Sequence, residues 1–180
     1  DLLGLARDMR VRWALEEVGQ AYDVRLVSFA DMKLPDHLAL NPFGQIPTFE
    51  DSNLTLFESG AIVLHIASMS TGLLPKDPVA KARAITWIFA ALNTVEPPIV
   101  EREQAFYTEG DKAWFGERLE LLDDRVRACL GKLARCLGDK EWLEGRFTAG
   151  DLIMVLVLRR LEGSGMLEQY ANLSKYISRA

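Results

Sequence analysis

The sequence predicts a small α/β unit followed by an all-helical unit. Three observations carry this. Over roughly the first 72 residues the patterning runs helix, strand, short helix, strand, strand, helix. A stretch with two prolines, Leu73 to Pro78, then interrupts the chain. Beyond it every apolar pattern has the helical period. The expected organisation is one domain over residues 1–72, a linker over 73–78 and a helical domain over 79–180.

Residues 5–18 read as a helix, with Val11, Leu15 and Val18 at i, i+4 and i+7 and Gly19 as its stop. Residues 22–28, YDVRLVS, alternate and then run apolar, as a strand would. PDHLAL (35–40) reads as a short helix. IPTFE (46–50), the turn DSN (51–53) and LTLF (54–57) predict a hairpin. SGAIVLHIASMS (59–70) reads as a helix stopped by Gly72. In the second part, residues 79–96 carry a long apolar stripe, and Pro97-Pro98 should kink or end that helix. A second long helix is expected from about Lys112 to Leu137. Thr148 to Asp151 is a capping-box pattern, with Phe147 and Leu152 placed as a hydrophobic staple. The helix that follows is apolar nearly all round, so it should be central.

The 180 residues carry a net charge of −5, with 49% hydrophobic and 26% charged residues. That is an ordinary composition for a chain with a buried core. No basic block stands out, which argues against nucleic acid or an anionic membrane surface as partner. The longest apolar run, residues 152–158, is too short to span a bilayer. No signal-peptide pattern opens the chain. Cys129 and Cys136 are seven apart on a helical pattern, about 10 Å along the axis, too far for a disulfide. They read as reduced thiols in a cytoplasmic protein. His37 and His65 have no ligand cluster at metal spacing, so no metal is expected. His37 is expected to face solvent and His65 to be structural.

Pro47 stands within an apolar run, directly after Ile46. A proline has no N–H and is excluded from central strands. Either the stretch is no strand, or the break has a use.

Three motifs carry a resemblance that covers nearly the whole chain. Asn41 to Pro47 is similar to the N-P-x-G-x-I/V-P segment of glutathione transferases. Phe57-Glu58-Ser59-x-Ala61-Ile62 resembles the family's site for a glutathione carboxylate. Phe147-Thr148-x-x-Asp151 is similar to the cap and staple of its helical domain. The resemblance implies a thioredoxin-like N-terminal domain, an all-α C-terminal domain and a homodimer. The family opens with a β-strand and then places a Tyr, Ser or Cys near the start of its first helix. Here only Asp1–Gly4 precede that helix, and none of those residues occurs before Tyr22. The first strand and the thiolate-activating residue are therefore expected upstream of Asp1.

The implied chemistry assigns roles. Glutathione must be held by its backbone and both carboxylates while its thiol becomes a thiolate, the nucleophilic form. A cis Ile46–Pro47 bond would free the N–H and C=O of Ile46 to pair with the ligand as an added strand does. The alternative is a trans proline at an edge-strand start. Ser59 at a helix N-terminus suits the γ-glutamyl carboxylate, and Glu58 can accept from the α-amino group. The alternative is a helix cap and a first-turn charge. Gln45 and Lys33 are candidates for the glycyl carboxylate. Arg7 is a candidate for lowering the thiol pKa, or else part of a charged face pairing with Glu16 or Glu17. Phe89, Asn93 and Pro97 are candidate walls of an electrophile site. The expected function is glutathione thiol activation for attack on a small electrophile, with glutathione as co-substrate. Alternatives are a glutathione-dependent isomerase or dehalogenase, or a non-catalytic glutathione-binding protein.

Overall fold

Gly19 ends the first helix because it takes a left-handed φ of +67° and its N–H closes on the carbonyl of Glu16. In the computed structural model, which describes residues 6–180, that helix is α1, Asp8–Glu17. Leu5, expected within it, lies outside the described residues. A 3₁₀ turn at Asp31–Lys33 leads to α2, Pro35–Leu40, with its proline in the first turn, where the missing N–H costs nothing. The hairpin follows as β1, Thr48–Asp51, and β2, Leu54–Phe57. Helix α3 spans Ser59–Met69. It packs on α1 through a core that includes Val11, Ala14, Leu15, Ile62, Val63 and Ile66.

The strand expected at residues 22–28 does not form. A strand exists only in a ladder, and among the described residues the only ladder is β1 with β2, antiparallel. Leu26 is 90% exposed, so the alternation there buries no face.

The described residues up to Lys76 form one compact unit and Asp77–Ala180 form a second. The second unit opens with α4, Pro78–Ala90, capped by the Asp77 side chain, which accepts the Ala80 N–H at 2.8 Å. The helical run does not end at Pro97-Pro98, one of the two outcomes expected there. A π-helical segment, Ala91–Val95, leads directly into α5, Glu96–Thr108, and places the prolines in its first turn. Helix α6 runs Phe115–Leu137, so the expected start near Lys112 is three residues early. Ion pairs join α5 to α6: Arg102 to Asp123 at 2.5 Å and Arg118 to Glu101 at 2.8 Å.

Helix α7, Ala149–Leu158, is buried along its whole length. It meets α4 at Gly150, where a Cβ would stand 2.6 Å from Trp87 Cβ and 2.9 Å from the Ala84 carbonyl. At its start, Asp151 reaches back and accepts the Thr148 N–H at 2.9 Å, the reciprocal half of a capping box. The same carboxylate accepts the Thr148 hydroxyl at 2.8 Å, the Leu143 N–H at 2.9 Å and the Tyr176 hydroxyl at 2.9 Å. Tyr176 lies on α8, Ala171–Arg179. Burial outweighs these donors and holds the Asp151 carboxyl above its ordinary value.

Candidate functional site

The register of the hairpin decides what meets at its end. Thr48 pairs with Phe57. Pro47 enters β1 and Glu58 leaves β2 at that pair, so Ile46-Pro47 and Glu58-Ser59 share one end of the ladder. Two motifs separated by ten residues of hairpin thus become neighbours through pairing alone.

The Ile46–Pro47 bond is cis, as the resemblance implies. Ile46 is 39% exposed and Pro47 is buried. Among the described residues the backbone of Ile46 makes no hydrogen bond, since the ladder begins at Thr48. The loop before it is closed on itself. The Phe43 N–H donates to Asn41 Oδ1 at 3.0 Å, and the Gly44 N–H donates to the Asn41 carbonyl at 2.9 Å. Gly44 adopts φ +59°, and a Cβ there would stand 2.9 Å from the Met32 carbonyl. Phe43 meets Phe57 edge to face, with ring centres 6.1 Å apart.

His37 corrects an expectation. It does not face solvent. Its ring is buried, with Nε2 2.9 Å from the carbonyl oxygen of Gln45. Asn41 Nδ2 donates to the same oxygen at 2.9 Å. The contact joins α2 to the loop eight residues on, a distance at which no local pattern reports a bond. For Asn41 a signal existed, because Asn two residues before a turn N–H is the Asx-turn arrangement.

Glu58 precedes α3 with φ +69° and ψ +112°, a backbone region that carries strain for a non-glycine residue. Its side chain is exposed, and its carbonyl accepts the Ile62 N–H at 3.0 Å. Ser59 is buried, 4% exposed, and its Oγ accepts from Arg10 Nη1 at 3.1 Å. Arg10 is itself buried on α1. A guanidinium therefore sits beside the hydroxyl at the start of α3, adding to the positive end of the helix. The sequence offered three arginines on α1, at 7, 10 and 12. The one that reaches Ser59 is Arg10, while Arg7 is exposed at the N-cap of α1.

Lys33 and Gln45 are exposed, on the 3₁₀ turn and on the loop respectively. In the second unit Phe89, Asn93 and Pro97 are all exposed, four residues apart along α4, the π segment and the start of α5. Both cysteines are free thiols. Burial raises the pKa of Cys129, so its thiol is held protonated. Among the described residues no group of His, Cys, Asp or Glu is arranged to hold a metal, and no helix is long and apolar enough to cross a membrane.

Comparison with known proteins follows this geometry. Residues 1–68 match the family model described as glutathione S-transferase, N-terminal domain. A probable glutathione S-transferase of Oryza sativa is 30% identical over 161 residues, which cover 83% of this chain and 71% of that protein. Among solved structures, a glutathione transferase family member from Pseudomonas fluorescens, with two glutathione bound, matches with a TM-score of 0.87 at 27% identity. That match covers 96% of this chain and 83% of the other. A glutathione transferase from Burkholderia graminis, with two glutathione molecules bound per subunit, matches with a TM-score of 0.87 at 25% identity and covers 96% and 78%. The fold is a thioredoxin-like N-terminal domain with a small antiparallel sheet, followed by a predominantly helical domain.

Proposed function

The chain belongs to the glutathione S-transferase family, and on that premise we propose that it binds glutathione at the end of the hairpin and activates its thiol for attack on a small electrophile. The observation that carries this is the register, which gathers the open backbone of Ile46 and the Glu58-Ser59 pair at one end of the β1–β2 ladder.

Each recognition problem has a residue. The N–H and C=O of Ile46 pair with the cysteinyl part of the tripeptide, as an added strand would. Ser59 Oγ and the first amides of α3 take the γ-glutamyl carboxylate, with the Arg10 guanidinium at 3.1 Å adding positive charge. Glu58 accepts from the ligand's α-amino group, and its strained backbone is what aims it. Gln45 and Lys33 serve the glycyl carboxylate. A free thiol has a pKa of about 8.5, and each unit of lowering needs about 1.4 kcal/mol of differential stabilisation of the thiolate. A positive end of α3 near the bound tripeptide contributes to this, and Arg7 is the further candidate on α1. Phe89, Asn93 and Pro97 are proposed for the electrophile. A homodimer and a cytoplasmic location belong to the same proposal, as does assignment of residues 1–72 as the glutathione-binding domain.

The test is retention on immobilised glutathione together with conjugation of a generic aryl halide by the full-length protein. Retention with turnover is expected. Retention without turnover would favour a glutathione-binding protein that does no chemistry, and failure of both would overturn the proposal.

A further inference from the structure

The Gln45–Ile46 peptide is fixed from one side. Its carbonyl oxygen receives His37 Nε2 at 2.9 Å and Asn41 Nδ2 at 2.9 Å. A carbonyl oxygen has two lone pairs, and the two donors occupy both. A carbonyl can only accept, so Nε2 of His37 must carry the ring proton. Asn41 has no freedom to flip, because its Oδ1 is taken by the Phe43 N–H at 3.0 Å. Both donors are buried, His37 at 6% and Asn41 at 3% exposure, where an unmatched carbonyl or N–H is costly.

A peptide group is planar, and in the trans form the N–H points opposite to the C=O. Fixing the Gln45 oxygen therefore fixes the direction of the Ile46 N–H, on the far side of the same plane. That N–H is the group assigned above to the glutathione backbone. We infer that His37 and Asn41 are positioning residues for glutathione, holding the Gln45–Ile46 peptide so that the Ile46 N–H is aimed before the ligand arrives. The inference rests on the binding mode proposed above. Neither residue touches the ligand in this scheme. Their contribution is pre-organisation, which lowers the ordering cost of binding.

The test uses three variants of the full chain. His37→Leu removes the donor and keeps an apolar side chain in a buried place. Asn41→Asp turns the donor into an acceptor facing the Gln45 oxygen. His37→Gln retains an N–H at the place of Nε2. Glutathione Kd by calorimetry, KM for glutathione, KM for the electrophile, kcat and Tm are measured for each. His37→Leu and Asn41→Asp should each raise Kd and KM for glutathione about tenfold, the size of one lost hydrogen bond. The KM for the electrophile should be unchanged, and His37→Gln should restore most of the affinity. Equal weakening toward both substrates, or folded variants that bind glutathione as the wild type does, would overturn the inference. Should a variant fail to fold, the wild type still decides. A long-range ¹H–¹⁵N correlation of His37 should show the proton on Nε2, and a proton on Nδ1 alone would overturn the clamp. Ser59→Ala separates the two readings. If it weakens glutathione while the His37 and Asn41 variants do not, only the positioning role fails. If the wild type binds no glutathione, the binding mode itself fails.

Discussion

His37 Nε2 lies 2.9 Å from the carbonyl oxygen of Gln45, which ties the short helix α2 to the loop that enters the hairpin. The same loop needs Gly44, whose φ is +59° and whose added Cβ would stand 2.9 Å from the Met32 carbonyl. Backbone atoms cannot swing aside as a flexible side chain can. Gly44→Ala should therefore lower stability by about 1–3 kcal/mol. It should also weaken glutathione, because the loop proposed to aim Ile46 is displaced. Chemical denaturation and a glutathione titration check both, and an Ala variant as stable and as tight as wild type would contradict the account.

Glu58 is strained, and strain at a residue that binds ligand, the role proposed for it, trades stability for function. Glycine accepts φ +69° at little steric cost. Glu58→Gly should thus leave stability unchanged or raise it by up to about 1 kcal/mol, while glutathione KM rises severalfold. A loss of stability with unchanged KM would make Glu58 purely structural.

Gly150 is where α7 crosses α4. A methyl group would meet Trp87 Cβ at 2.6 Å and the Ala84 carbonyl at 2.9 Å. The neighbours are a backbone atom and a Cβ, so relief requires the helices to part. Gly150→Ala should destabilise by about 2–3 kcal/mol, read as a lower denaturation midpoint of the full chain. A neutral result would mean that the helices part freely.

Asp151 gathers four donors from three places in the chain. Asp151→Ala should cost more than about 3 kcal/mol, because buried donors lose their acceptor together. The pH dependence has a definite sign. The folded carboxyl sits above its ordinary 3.8, so the folded state binds this proton more tightly than the unfolded chain. The stability it contributes is full below about 3.8 and declines as pH rises through the raised value. Asp151→Asn lacks this titration, so its deficit against wild type should shrink as pH rises from about 4 toward 7. A deficit that grows over that range would contradict the sign.

Much of the fold is local, and local features were legible. The hairpin, α2 and the end of α1 at Gly19 follow from turn residues and spacing that act within a few positions. Residues 22–28 have a strand's alternation, but a strand depends on a partner that sequence patterning does not supply. The Pro97-Pro98 pair looked like a break because proline removes an N–H. The helical run nonetheless continues through the pair, because the π segment just before it changes the hydrogen-bonding register where the prolines supply no N–H. At the site, the motif residues could be named, whereas His37 and Arg10 could not be given roles. Their partners, Gln45 and Ser59, lie eight and forty-nine residues away, and a side chain's hydrogen-bond partner across that separation leaves no periodic trace.

The central claim is that glutathione binds at the open end of the hairpin. A ¹H–¹⁵N titration of the full chain with glutathione reads it directly. The amides of Ile46 and Ser59 should shift saturably with one shared Kd, while amides of α6 stay in place. Saturable binding that leaves Ile46 and Ser59 unmoved would contradict it.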